Sequence, residues 1–218
     1  MIIIFDLDYT LFDTARFKKD LSGILKMSNE SFGDSYKKHF KDKGESYNIK
    51  KHINVLFRER KIKAEEKNAV QKRVELFFKK SINDYIVKDA EDILKKLKSA
   101  GHTLILLSFG DKKFQNYKIK NLDIKKYFSK IIVTDKDKSE SLKFLKDKKE
   151  RILIVNDNAK ESVIIKKALK NRAEIFLVQG PYSDNIKTPF KIEKADFWLQ
   201  INDLEGLKRA ENIVQDKL

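Results

Sequence analysis

The sequence predicts an α/β fold, a doubly wound parallel sheet that carries an inserted small α-helical unit. Three patterns predict it. The chain opens on four apolar residues, Ile2-Ile3-Ile4-Phe5, that run directly into Asp6-Leu7-Asp8. From residue 89 onward, short apolar runs alternate with amphipathic stretches. Between these two regions, residues 15–88 show helical spacing and no convincing strand. An unbroken apolar run is what a strand buried on both faces requires, and strand–helix alternation is the pattern of βαβ units. The sheet-bearing part therefore takes residues 1–14 and 89–218, and the helical insertion takes 15–88.

Within the insertion, the spacing predicts helices near Arg16–Leu25, Ser31–Phe40, Ile49–Glu59 and Glu65–Ser81. Val70, Val74, Phe77 and Phe78 fall on one face of the last of these. Gly33 and Gly44 read as breakers between helices, and the Phe and Tyr side chains of the insertion read as its core. The second region starts with a helix over Ala90–Ala100, closed by Gly101. Strands are expected at Thr103–Leu107, Ile131–Thr134, Ile152–Val155, Glu174–Val178 and Ala195–Leu199. The helices between and after them are expected at Lys112–Lys120, Ser139–Lys148, Ala159–Lys170 and Leu204–Val214.

Composition narrows the class. The chain has 218 residues, 41% hydrophobic with 15 Phe, which suffices for a core, and its 37% charged content is mixed in sign. It has no cysteine, so disulfides, thiolate metal sites and a cysteine nucleophile are excluded. The opening apolar run is broken by Asp6 and Asp8 and has no basic leader, so it does not read as a signal peptide. No apolar run is long enough to span a bilayer, and a cytoplasmic protein with no membrane partner is the expectation. The net charge of +15 would attract anionic substrates or nucleic acid. The lysines are spread along the whole chain, which equally suits a general surface bias.

Side chains alternate along a strand, so Asp6 and Asp8 point the same way and Leu7 the opposite way. At the carboxyl edge of an open α/β sheet they lie where such sheets bind ligands. Paired carboxylates repel and are tolerated beside a cation, although Asp residues also open ordinary turns. Ser108-Phe109-Gly110 follows the next apolar strand, and Asn156-Asp157-Asn158 follows a third. A hydroxyl followed by a glycine turn suits an oxyanion; it is also a plain helix cap.

The run Asp6-x-Asp8-x-Thr10, continuing Leu11-Phe12-Asp13-Thr14, resembles the first motif of the haloacid dehalogenase (HAD) superfamily of phosphatases and phosphotransferases. The resemblance implies that Asp6 is the nucleophile, that Asp8 is the general acid/base, and that the insertion is a type 1 helical cap. Ser108 resembles the second motif, which binds the transferring phosphoryl group. The third motif is a lysine, for which Lys138 and Lys136 are candidates, with Lys138 preferred. Asp157 and Glu161 resemble the acids of the fourth motif, although Asn156 and Glu161 depart from its commoner residues. The implied phosphate-binding positions are Leu7, Thr10, Ser108, Phe109, Gly110 and Lys138. The implied cofactor is Mg²⁺, held by Asp6, the Asp8 carbonyl, Asp157 and, directly or through water, Glu161. An oxygen-only donor set suits that ion. Asn158 reads as a second-layer group or a cap. His39, His52 and His102 show no ligand spacing.

The expectation is thus a Mg²⁺-dependent phosphatase of a small phosphorylated metabolite, working through an aspartyl-phosphate. A mutase or phosphotransferase built from the same residues, or a basic nucleic-acid-associated protein that binds or trims end phosphates, are the alternatives. The acid at Asp8 argues against dehalogenation, because the family's dehalogenases lack one there.

Overall fold

The computed structural model describes residues 1–178, 180–183 and 193–195. Six parallel strands form one sheet: β1 (Ile2–Phe5), β2 (Thr103–Phe109), β3 (Lys130–Thr134), β4 (Ile152–Asn156), β5 (Ala173–Val178) and β6 (Glu193–Ala195). Their spatial order is β3-β2-β1-β4-β5-β6. The order reverses at β1, which lies between β2 and β4 with Ile4 opposite both Ile105 and Ile154. A ligand crevice opens at such a reversal, beyond the strands' carboxyl ends.

Alternation along the strands splits the core into two faces. Ile3, Phe5 and Leu7 join Leu104, Leu106, Leu153 and Val155 on one side. Ile2 and Ile4 join Ile105, Leu107, Ile152 and Ile154 on the other. Each such burial is worth about 1.5–3 kcal/mol. All four residues of β1 are buried, which anchors the strand end that carries Asp6. Helix α5 (Ala90–Ser99) and helix α6 (Lys112–Lys120) cover the first face, and helix α7 (Ala159–Leu169) covers the second.

Four helices intervene between β1 and α5: α1 (Thr14–Ile24), α2 (Asn29–His39), α3 (Ile49–Arg58) and α4 (Lys67–Ser81). Phe17, Leu21, Ile53, Val74 and Phe78 in them belong to the same apolar cluster as the first sheet face. The chain leaves and re-enters the sheet through a narrow pair of crossings. The Asp13 amide donates to the Tyr85 carbonyl at 2.7 Å, and the Val87 amide to the Leu11 carbonyl at 3.0 Å.

Two sequence expectations need correction. The helix expected over Ser139–Lys148 is a short 3-10 turn, Glu140–Leu145. Only Leu142 and Leu145 in it are buried, so one turn of chain satisfies its apolar side chains. Gly33 does not break a helix; it lies within α2. Ser28 caps that helix, and the burial of Phe32 and Ser35 holds it together. Gly44 does stand at a chain reversal, with φ of +65°. Beyond the β6 residues, the strand expected over Ala195–Leu199 and the helix over Leu204–Val214 lie outside the described residues. Among the described residues no helix is long and apolar enough to cross a membrane.

His52 shows how closely the insertion is packed. It is fully buried, its Nε2 is 2.9 Å from the Ser35 hydroxyl, and its Nδ1 is 3.1 Å from the Tyr47 hydroxyl. Burial, aided by the charges of His39 and Lys61, lowers its pKa to about 4. The unfolded chain then takes up a proton near pH 6.5 that the folded chain refuses until about pH 4. Stability from this group is therefore lost as pH falls through that window, by about 2 kcal/mol at pH 5. Urea unfolding of the wild type and of His52→Gln at pH 7 and pH 5 checks this. The difference between the two proteins should shrink on acidification, because only the wild type carries the penalty. A Cβ added at Gly33 would meet nothing within 4 Å. Gly33→Ala should accordingly raise the unfolding free energy by about 0.5–1 kcal/mol in the same assay.

Candidate active site

The tips of β1, β2 and β4 and the segment after β3 converge on one cavity of about 390 Å³. Asp6, Asp8, Lys138, Asp157 and Glu161 line it, together with Phe109 and Gly110. Six of the residues singled out in the sequence as catalytic or metal-binding are Asp6, Asp8, Ser108, Lys138, Asp157 and Glu161, and all but Ser108 reach this cavity surface.

Asp6 follows β1 directly, and its Oδ1 accepts from Lys138 Nζ at 2.7 Å. Both side chains are nearly sealed from solvent, at 10% and 4% exposure. Lys138 also reaches Glu161 Oε2 at 2.6 Å. The other lysine weighed for this place, Lys136, is exposed. Burial raises the Asp6 pKa to about 6, against the pull of Lys138 and with a further push from Glu161. Burial also opposes charge on Lys138, but Asp6 and Glu161 outweigh it and hold the ammonium firmly protonated.

Asp157 directly follows β4. Its backbone amide donates to Thr10 Oγ1 at 3.1 Å. Its Oδ2 is buried with no hydrogen-bond partner among the described residues. Burial and the neighbouring charge of Asp6 push its pKa up to about 8. Gly180 presses against this carboxylate: a Cβ there would come within 2.8 Å of the Asp157 Cβ. A glycine is therefore required at the turn that closes over Asp157.

Ser108 is the next-to-last residue of β2, and its hydroxyl is buried and unpartnered among the described residues. Gly110 has φ of +146°, and a Cβ on it would press within 3.0 Å of Gln115 Nε2. The glycine turn after Ser108 is thus fixed by backbone conformation and by close approach together.

One expected residue takes a different place. Thr10 is fully buried and does not line the cavity. Its hydroxyl is used on the Asp157 amide, so it joins the β1 and β4 loops rather than facing a phosphate. Leu7 is fully buried, and its carbonyl gathers the amides of Thr10, Leu11 and Phe12. Glu161 pairs with Lys138 through Oε2 and lines the cavity. Asn158 is the cap of α7, accepting from the Glu161 amide at 3.1 Å.

Sequence reasoning missed the surroundings of Asp8. Its Oδ1 accepts from Thr14 Oγ1 at 2.6 Å and from Lys118 Nζ at 2.6 Å, and its Oδ2 accepts from Gln115 Nε2 at 2.9 Å. Lys118 is only 2% exposed at the side chain. Burial alone would raise the Asp8 pKa, but the Lys118 charge and these three hydrogen bonds together lower it. A signal was present: in α6, Phe114, Gln115, Lys118 and Ile119 share one helical face and all are buried.

Whether these residues suit a metal ion turns on Asp157. Its orphaned buried Oδ2 and the mutual repulsion with Asp6 are the features that a cation would relieve. The donors are oxygens only. Among the described residues, however, no group of three His, Cys, Asp or Glu side chains converges as a ready cage. A fit therefore draws on two carboxylates and a backbone carbonyl, with the remaining positions left to water and substrate, as Mg²⁺ favours.

The haloacid dehalogenase-like hydrolase family matches residues 1–168. The chain belongs to that family and is an enzyme. No curated protein matches it closely. Among solved structures, a haloacid dehalogenase-like hydrolase of Burkholderia xenovorans LB400 superposes with a TM-score of 0.72 at 18% identity, covering 94% of this chain and 97% of that one. A haloacid dehalogenase-like family hydrolase of Xanthomonas campestris gives 0.59 at 16% identity, covering 100% and 92%. The HAD-hydrolase YfnB of Bacillus subtilis, solved with magnesium bound, gives 0.52 at 14% identity, covering 93% and 98%. At these identities the likeness is one of fold.

Lys118→Met keeps the side-chain volume but leaves Asp8 without its ammonium partner. Uncompensated buried carboxylates are costly, and Asp8 remains 26% exposed at the side chain. The expected loss is about 2 kcal/mol, below the roughly 3–5 kcal/mol of fully buried pairs, and urea denaturation reads it.

Proposed function

We propose that the enzyme is a Mg²⁺-dependent phosphoric monoester hydrolase that acts through an aspartyl-phosphate at Asp6. The observation that carries this reading is the Asp6–Lys138 contact of 2.7 Å at the sheet edge, on the cavity that Asp8 and Asp157 also line. A carboxylate nucleophile paired with an ammonium in such a cavity suits an entering phosphoryl group.

Asp6 attacks phosphorus as the bond to the substrate alcohol breaks. Lys138 and the Ser108 hydroxyl, which has no other partner among the described residues, hold the phosphoryl oxygens; the Gly110 amide is already given to the Thr134 carbonyl. Asp8 takes a proton from the water that releases phosphate and regenerates Asp6, and in that protonated form it supplies the proton to the leaving alcohol of the next turnover. Lys118, Gln115 and Thr14 fix the Asp8 carboxylate toward the cavity and favour its ionised form, the form that accepts a proton from water. Glu161 shares Lys138 with Asp6. Asp6, the Asp8 carbonyl and Asp157 would hold the magnesium ion. When bound, it supplies positive charge to the phosphate oxygens and offsets the repulsion between the two carboxylates.

The helical insertion acts as a cap over this cavity. Phe32 and Tyr36 from α2, and Phe17, Lys18 and Leu21 from α1, line its upper wall. That closure limits the substrate to a small phosphorylated molecule.

Hydrolysis of p-nitrophenyl phosphate tests the reading. Turnover should require Mg²⁺, stop with EDTA and return on adding the metal. Asp6→Asn should lower kcat by at least about 10³-fold while the protein stays folded. Full activity in that variant would remove Asp6 as the nucleophile.

A further inference from the structure

We propose that this site selects phosphate monoesters whose organic part carries a planar aromatic or heteroaromatic ring, such as a nucleoside monophosphate, over polyol phosphates of similar size. The proposal rests on the phosphohydrolase reading above and adds a substrate class to it.

The cavity has two unlike ends. The acids and buried lysines described above occupy the sheet edge. The wall beyond that edge carries the rings of Tyr9, Tyr36, Tyr47, Phe109 and Tyr182, with Lys18, Lys41, Glu45 and Ser46 among them. Phe109 and Tyr182 are 44% and 41% exposed. Few large apolar or aromatic side chains among the described residues are left that open, and these two share one cavity with the phosphate end. Phe109, the last residue of β2, lines the cavity together with Gly110, Asp6 and Lys138. Tyr182 meets Tyr9 edge-on, with centroids 5.7 Å apart at 79°. An edge-on pair leaves ring face uncovered, and a flat ring stacks on such a face.

Lys18 adds a polar point to this wall. Its Nζ lies 5.3 Å from the ring centroids of both Tyr9 and Tyr36 and donates to the Tyr9 hydroxyl at 2.9 Å. An ammonium has three donors, so it can also serve a carbonyl or ring nitrogen of a heteroaromatic ligand. A polyol phosphate presents hydroxyls on every side. Those groups are buried without cost only against matched donors and acceptors. Aromatic faces do not supply them, whereas they suit a planar ring.

Uridine 5′-monophosphate and ribose 5-phosphate share the same primary alcohol leaving group and differ by the ring. Their kcat/KM ratio therefore isolates the ring's contribution. The Mg²⁺-loaded wild-type protein should favour the nucleotide by at least about tenfold, the scale of one base stacked on an aromatic side chain. In Tyr182→Leu the ratio should fall by at least about threefold. A ratio near one, with p-nitrophenyl phosphate still hydrolysed, overturns the ring selectivity and leaves the phosphohydrolase standing. A high ratio that Tyr182→Leu and Tyr36→Leu both leave unchanged overturns the aromatic wall as its source. No turnover of any of the three esters by folded protein overturns the hydrolase reading, and this proposal with it.

Discussion

The structure depends on how a parallel sheet edge tolerates buried negative charge. Asp6, Asp8, Asp157 and Glu161 meet around one cavity, and the ammonium groups paired with them are those of Lys118 and Lys138. Two cations cannot neutralise four carboxylates. The strain appears where neutralisation is incomplete. Asp8, with its own lysine and two further donors, is held below the usual carboxylate range. Asp6 shares Lys138 with Glu161 and rises, and Asp157, which has no cation of its own, rises further. The gradient in proton affinity across the cavity follows the gradient in pairing. It marks the Asp6–Asp157 side as the place where added positive charge gains most.

The fold supplies that arrangement by topology rather than by local propensity. Asp6 and Asp157 are separated by most of the chain, yet β1 and β4 are neighbours in register, with Phe5 opposite Val155. Each carboxylate is the residue that directly follows its strand. The Thr10 hydroxyl then ties the two loops through the Asp157 amide. A threonine that would read as a phosphate contact is instead the joint that holds two charged loops at fixed separation, and Gly180 closes over the second of them.

The fold and the strand-end acids were legible in the sequence because both follow from short-range pattern. Ile2–Phe5 and Ile152–Val155 are apolar without interruption, so the first polar residue after each marks an edge. Helix spacing located α1 to α7 closely, while Ser139–Lys148 was overread because two buried leucines suffice there for a single 3-10 turn. Lys118 was not legible in the same way. In a chain this rich in lysine the residue type carries little information, and its position on the buried face of α6 had to be weighed against that background. The pairing of Glu161 with Lys138, and the place of Tyr182 against Tyr9, depend on contacts between segments distant in sequence. No local pattern encodes them.

Helix α6 joins these strands of the argument. Its buried face sends Gln115 and Lys118 to Asp8. The same helix packs Phe114 against Tyr47 and Phe78, and Tyr117 against Phe78, which are residues of the helical insertion. At its first turn, Asp111 accepts from Asn48 Nδ2 at 2.8 Å, the residue that caps α3. One nine-residue helix therefore touches both the Asp8 carboxylate and the packed side chains of the insertion. Because packed interiors shift as units rather than deform continuously, a displacement of the insertion against α6 would carry with it the side chains that hold Asp8.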